Sequence, residues 1–391
     1  MQKKQMLIVT MIFLVLGMGA VQAIEEVGSE FLTLRQQAMG GVSVTIARGH
    51  SAITNNPAAL KFSKPEFKWP RFSAALSNDY QAHTDTLAKL TDMESEVSDQ
   101  IQHLKDIVPV KIGMQFAANP LISLSGNRFG VGIFGKGRFI GRLYRVSNPK
   151  FKFDGYYDSN SAFAYATQIN FGLPVSVGVS LRYLERYRVY DKATGEESVD
   201  LTTAQILSKV NDTEGDFDYG VVSKYGIFMD VGGIISFNDH KGKMGVVYKN
   251  LGSGFKGTKE LASGVNQDVD DLLMPSVRVG ASYDFDFFNQ EYLPGLLKGD
   301  LIVAADYELV SANDDIRKNI HMGIEKALLF DTLYLRGGIN EGFIVGGIGI
   351  DLHVGNFHMF TLNYSKYSEE LGEKIGHESI QYDSIELSFL F

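Results

Sequence analysis

The stretch "SVRVGASYDF", residues 276–285, alternates with period two. Val277, Val279, Ala281, Tyr283 and Phe285 make one set, and Ser276, Arg278, Gly280, Ser282 and Asp284 make the other. Successive side chains of a strand point to opposite faces, so the stretch presents one greasy face and one that is small, polar or charged. The same split sets Val175, Val177, Val179, Leu181 and Tyr183 against Ser176, Gly178, Ser180 and Arg182. It recurs with Ile348, Ile350 and Leu352 against Gly347, Gly349 and Asp351. A fourth case sets Ile316, Lys318, Ile320, Met322 and Ile324 against Arg317, Asn319, His321, Gly323 and Glu325. There Lys318 interrupts the apolar set near an expected strand end, where a long side chain can snorkel.

Soluble sandwiches alternate too, so strand length and loop rhythm must choose. A membrane strand takes about 9 to 11 tilted residues. Segments of that size number about 14: 66–77, 109–122, 128–140, 159–171, 173–189, 223–237, 241–250, 274–286, 299–310, 316–328, 331–340, 343–353, 356–367 and 379–391. An even count suits a bacterial barrel. Extended connections at 78–108, 141–158, 190–222 and 251–273 alternate with tight turns at Ser125–Asn127, Asn238–Gly242 and Val354–Asn356. Long loops would face outward and short turns the periplasm. The connection at 287–298 is long for a periplasmic turn.

Composition agrees: 41 Gly, 18 Tyr and 26 Phe with a mean hydropathy of -0.04 are what results when lipid-facing and lumen-facing residues cancel. The absence of cysteine in 391 residues removes disulfides, thiol chemistry and Cys-ligated metals. A net charge of -9 argues against a nucleic-acid partner. Lys3 and Lys4 precede an apolar run from Met6 to Met18, and Val21-Gln22-Ala23 follows, which reads as a secretory signal cut after Ala23. At the other end "SIELSFLF" places Ile385, Leu387, Phe389 and Phe391 on one face. A terminal aromatic in that pattern resembles the signal that hands outer-membrane barrels to their assembly machinery. The expected architecture is therefore an all-β transmembrane antiparallel β-barrel of about 14 strands, in the outer membrane of a Gram-negative-type bacterium and surrounded by its lipids. Residues 1–23 are the signal peptide, 24–62 a periplasmic hatch or plug, and 63–391 the barrel.

Two inserts read as helices in outer loops. Leu87, Leu90, Met93, Val97, Ile101, Leu104 and Val108 follow helical spacing between Thr84 and Val108, opposite an acidic face, and suggest a lid packed on the rim. Ser198–Val210 suggests a shorter helix in the third outer loop.

The segment before the first strand is too rich in Gly and Ala to be another strand. Gly40-Gly41 and Asn55-Asn56-Pro57-Ala58 allow sharp turns and side-chain amides inside a polar lumen. Asn56-Pro57 fixes extended geometry at Asn56 and aims the chain toward the first strand. The stretch "QQAMGGVSVTIARGHSAITNNPAALKF", Gln36–Phe62, resembles the N-terminal hatch of the FadL-type long-chain fatty-acid transporter superfamily of bacterial outer membranes. That superfamily includes TraF-like and PorV-like branches, to which the insert after the first strand and the C-terminal half are also similar. The resemblance implies a 14-stranded barrel that takes up hydrophobic compounds through a hatch-gated lumen, with Gly40, Gly41, Asn56, Pro57 and Ala58 as hatch residues. It implies equally an outer-membrane anchor or docking barrel for a secretion or conjugal-transfer apparatus.

Arg182, Arg278, Asp284, Asp306 and Glu308 would line the lumen, as anchors for a ligand carboxylate or for the hatch, or simply as solvated wall. An enzyme is disfavoured. The eight His are scattered, His353 and His358 only flank a tight turn, and no nucleophile elbow, metal-ligand cluster or phosphate-cradling glycine loop accompanies them. No cofactor is implied.

Overall fold

A strand that crosses hydrocarbon must pair every backbone N–H and C=O within the protein, so the sheet has to close. It does. The computed structural model describes residues 30–79, 108–145, 149–170, 172–202, 219–252, 254–286, 298–310, 315–354, 357–372 and 374–389, with a few isolated positions between them. The strands of the wall are β2 (Arg71–Ser77), β3 (Val110–Ser125), β4 (Phe129–Tyr144), β5 (Lys150–Asn170), β6 (Pro174–Asp191), β8 (Tyr219–Phe237) and β9 (Gly242–Gly252), followed by β12 (Ser276–Phe285), β13 (Leu301–Val310), β14 (Ile320–Leu328), β15 (Leu333–Asn340), β16 (Phe343–Val354), β17 (Phe357–Glu370) and β18 (Ser379–Phe389). Each pairs antiparallel with the next, and the last returns to the first through Ile385 opposite Ala74. These 14 strands form a closed antiparallel barrel.

Burial is inverted relative to a soluble protein. Val179, Leu181, Tyr183, Met322, Ile324, Ile348, Ile385 and Leu387 are exposed, while Ser176, Ser180, Arg182, Arg278, His321, Glu325, Ser384 and Glu386 are buried. Apart from Val277, buried beside Arg278 where the ladder shifts register, and the turn at Ile316–Asn319, the apolar set of each alternating stretch therefore faces out and the polar set faces in. Only a bilayer makes that arrangement favourable, which places the chain in an outer membrane as a spanning barrel. The wall is uneven in height: β5 has 21 residues and β8 has 19, against 8 in β15 and 9 in β14.

Five expectations are corrected. Most of the connection expected at 141–158 is strand, because β4 continues to Tyr144 and β5 begins at Lys150. The first segment, 66–77, divides at Trp69-Pro70 into a short β1 (Glu66–Lys68) and β2. Pro70 has no N–H for the ladder, and the break lets Glu66 pair with Ser125 at one end of β3 while Phe72 pairs with Ala118 farther along it. Ile316–Asn319 is a 3-10 turn capped by the Asp315 side chain, so the strand begins at Ile320. Lys318 is not a snorkelling residue; it is buried, and its Nζ donates to Gly372 O at 2.9 Å. Within the expected helix Ser198–Val210, Val199–Thr202 is strand β7, paired with β5 through Asp200 opposite Lys152. Extended pairing suits the β-branched Val199 and Thr202. The connection 251–273 holds a hairpin of β10 (Phe255–Glu260) and β11 (Asn266–Asp271), folded back on β8 through Gly257 opposite Lys224. The signal peptide, residues 24–29 of the expected hatch, the bulk of the Thr84–Val108 insert, nearly all of the expected helix beyond Thr202, nearly all of 287–298 and Phe391 lie outside the described residues.

Leu181→Arg puts a charge on the lipid face and should cost about 2–4 kcal/mol if the site lies near mid-membrane. Folding into vesicles followed by denaturant titration checks this, with Leu181→Val expected to stay close to wild type.

Candidate functional site in the lumen

Residues 30–63 run through the interior of the barrel and are almost entirely buried. The segment opens with a short helix, α1 (Leu34–Ala38), started by a reciprocal capping box between Thr33 and Gln36. Gly40 and Gly41 follow with φ of 74° and 79°. A Cβ on Gly40 would stand 2.2 Å from Met322 O and 2.5 Å from Ile339 O, so the turn lies directly on β14 and β15 and only glycine fits. His321 Nδ1 bonds Gly40 O at 3.1 Å and Asn340 Oδ1 at 2.8 Å.

The wall then grips the next residues with charge. Asp306 Oδ2 accepts from the backbone N–H of Ser43 at 2.6 Å and of Val44 at 3.0 Å. Arg278 donates to Gly41 O and to Ser43 Oγ, both at 3.3 Å, while pairing with Glu30 at 3.0 Å and Glu308 at 3.3 Å. Charge-assisted bonds to main-chain groups hold backbone that forms no ladder of its own.

A second short helix, α2 (His50–Thr54), leads to the Asn-Asn-Pro corner. Asn56 Oδ1 accepts from Ala58 N at 3.1 Å and caps the 3-10 turn Pro57–Phe62, while its Nδ2 donates to Val44 O at 2.8 Å. The corner rests on two wall glycines. A Cβ on Gly178 would meet Ala58 N and the Pro57 carbonyl carbon at 2.5 Å, and one on Gly232 would meet Asn56 Oδ1 at 1.9 Å. The tight polar corner thus ties two turns of the segment together where it touches β6 and β8.

Arg278, Asp306 and Glu308 form one cluster around Ser43, as their inward spacing suggests. Arg182 instead pairs with Asp230 at 2.8 Å and bonds Asn250 at 2.6 Å, within the wall. Asp284 sits at the other end of β12, opposite Ile302 of β13. A second ionic chain was not singled out from sequence. Arg35 pairs with Glu325 at 2.8 Å, Arg336 bonds Glu325 at 2.6 Å and Asn363 at 2.7 Å, and Asn363 bonds Glu386 at 2.9 Å. Arg71 pairs with Glu386 at 2.9 Å. Glu325 and Glu386 both stand in the polar sets of alternating stretches, which was the available signal.

The opposite side of the lumen is apolar. Phe31, Ala52, Ile53, Ala58, Leu60 and Phe62 of the segment pack with Phe134, Ala164, Leu184, Phe228, Ile234 and Phe255 of the wall and outer hairpin. This column runs from the hairpin down to Phe62, which lies 5.6 Å from His240 in a periplasmic turn. Beside Phe31 a small space of ≈ 20 Å³ remains, lined also by Gln115, Asn119 and Tyr367. A charged cavity of ≈ 360 Å³ opens at the outer mouth among Arg142, Lys152, Asp154, Arg188 and Glu197.

Near the periplasmic end His50 Nδ1 faces Glu66 Oε1 at 3.4 Å and Nε2 faces Arg71 at 3.2 Å. These partners assign the proton to Nδ1. Burial, reinforced by the Arg71 charge, pushes the imidazole below its ordinary value of 6.5 despite the Glu66 carboxylate, so it is neutral.

No family model and no curated protein sequence matches the chain. Among solved structures, it is similar to the CymD monoaromatic hydrocarbon channel, at 16% identity and TM-score 0.48 over 91% of this chain and 97% of that one. It is similar to the Ralstonia pickettii toluene transporter TbuX, at 11% identity and TM-score 0.46 over 92% and 98%. A Pseudomonas aeruginosa FadL homologue aligns at 9% identity and TM-score 0.31 over 92% and 98%.

Two outcomes are expected. Because the folded pKa of His50 lies below the unfolded one, its contribution is complete above 6.5 and is lost as pH falls from 6.5 through the lower folded value. Hydrogen exchange of amides 50–60 should therefore accelerate between pH 7.5 and 5, corrected for intrinsic rates, and His50→Gln should flatten the dependence. Arg278→Met removes the cation shared by Glu30 and Glu308. It should loosen residues 40–46 in the same measurement and cost stability, by less than the ~3–5 kcal/mol of a fully buried pair because Glu30 keeps some solvent.

Proposed function

We propose that this barrel admits hydrophobic small molecules across the outer membrane, with residues 24–62 as a hatch that shifts to let them pass. The observation that carries the reading is the apolar column, whose inner side is made by the segment's own Phe31, Ile53 and Leu60. A wall lined with Phe134, Leu184 and Phe228 has no use for water, and a displaced segment would expose an apolar track along the lumen. The other half of the segment is held by ion pairs and side-chain-to-backbone bonds, contacts that water can replace one at a time. Long-chain fatty acids fit such a track, and release would follow by diffusion into the membrane or the periplasm. Gly40, Gly41, Asn56, Pro57 and Ala58 are the pivots and seats of the hatch in this scheme. Arg278, Asp306 and Glu308 are its latch, and the outer-membrane lipids are its surroundings.

A second reading takes the chain as a non-enzymatic anchor for a secretion or conjugal-transfer apparatus. It draws on packing, since the space beside Phe31 is only ≈ 20 Å³.

A cysteine-free chain allows a direct test. A Cβ at Gly232 would stand 2.9 Å from Asn56 Cγ, within disulfide reach once Asn56 is replaced. The pair Asn56→Cys and Gly232→Cys should lock the hatch when oxidised. Oleate entry into vesicles carrying the wild type should exceed that of protein-free vesicles. The oxidised pair should drop to background and recover on reduction. Entry through the locked barrel would remove hatch gating, and no excess entry with the wild type would favour the docking reading.

A further inference from the structure

Asn160 stands on the inward face of β5 and is fully buried, and neither its Oδ1 nor its Nδ2 has a hydrogen-bond partner. Its neighbours in register are Phe134 on β4 and Leu184 on β6, both members of the apolar column. An amide offers two donors and an acceptor with two lone pairs, and burying all of them unmatched costs its full desolvation. Buried polar groups are nearly always paired, so one left unmatched on a greasy wall asks for a reason.

The groups around it do not supply one. Two residues along the same strand, Asp158 is occupied by Arg186 through bonds of 2.7 and 2.9 Å. Across from Ala162, Arg182 is committed to Asp230 and Asn250. The guanidiniums that flank Asn160 are thus each balanced by a carboxylate, while both polar atoms of the amide are open. Farther along the column the hydroxyl of Ser180 is likewise buried and unmatched, two residues from the Gly178 that seats Pro57 and Ala58.

We infer that Asn160 is a ligand-binding residue, which recognises the single uncharged hydrogen-bonding group of an otherwise apolar molecule lodged against Phe134 and Leu184. Hydroxyl, carbonyl and protonated carboxyl groups fit, because the amide both donates and accepts. An ionised head finds no spare cation there, since each nearby guanidinium is already balanced by its own carboxylate, so a fatty acid such as oleate would rest at Asn160 as its neutral acid. Ser180 gives the same kind of group a second resting place nearer the Asn56-Pro57 corner. This inference rests on the uptake reading and narrows its substrate class from apolar molecules in general to apolar molecules with one neutral polar group.

Calorimetric titration of the full-length protein in detergent, referenced to empty micelles, tests it with two probes that differ by one hydroxyl, 4-ethylphenol and ethylbenzene. The wild type should prefer 4-ethylphenol by roughly 5- to 10-fold, the value of one hydrogen bond in a dry site. Asn160→Leu should keep its affinity for ethylbenzene and lose the preference, and its melting temperature should rise because an unmatched amide has gone. Asn160→Thr should fold and keep part of the preference, which covers the case in which the Leu variant does not fold. Equal binding of the two probes by the wild type, or a preference that survives in Asn160→Leu, overturns the role of Asn160 while leaving apolar uptake standing. A lower melting temperature for a folded Asn160→Leu shows that the amide is matched inside the protein and overturns it as well. If the wild type binds neither probe the inference fails, and the oleate-entry measurement decides the uptake reading separately.

Discussion

Every other feature of this molecule follows from one constraint: in hydrocarbon the backbone must satisfy its own hydrogen bonds. That requirement closes the 14 strands through β18 and β2 and turns the apolar side chains outward. It also leaves, on one side of the lumen, polar and charged groups that face neither lipid nor bulk water. A barrel of this girth cannot fill its interior from the wall alone. Residues 30–63 fill it, and the lumen's chemistry is the chemistry of holding that segment.

The hold differs on the two sides. Toward β12 to β18, Asp306, Arg278, Glu325 and Glu386 meet backbone or charge on the segment at hydrogen-bond distance. Toward β4 to β8 the contact is steric and apolar, with Gly178 and Gly232 removing side chains so that Asn56, Pro57 and Ala58 can lie against the wall. A polar side whose bonds can be released one at a time and a glycine-seated corner that keeps its place are what a segment needs if it is to swing rather than leave. The uneven wall adds to the asymmetry, since the tall strands β5, β6 and β8 back the apolar side and carry the β10–β11 hairpin over it.

Much of this was legible from residues alone, because period-two alternation is a local signal that survives in any strand facing two solvents. It fixed the faces of β6, β12, β14, β16 and β18 and placed Arg278, Asp306 and Glu308 in the lumen. It failed where one residue outweighed the pattern: Pro70 ended a strand, and Ile316–Asn319 alternated but turned under the Asp315 cap. The hairpin at 255–271 was missed because charged, exposed strands outside the membrane lack the greasy set that alternation requires. The ionic chain through Arg35, Glu325, Arg336 and Glu386 joins residues far apart in sequence, and its pairings depend on which strands are neighbours around the barrel. Asn160 carried no signal at all, since an unmatched amide is recognisable only when its surroundings are known.

The central claim is that residues 30–63 move when a hydrophobic molecule occupies the lumen. The most direct measurement is the distance distribution between spin labels on Arg48→Cys, exposed on the segment, and Asp239→Cys, in the periplasmic turn between β8 and β9, with and without oleate. The account predicts one narrow population in the absence of oleate and a second, displaced population that grows with its concentration. A distribution that stays unchanged while oleate is demonstrably bound would contradict it.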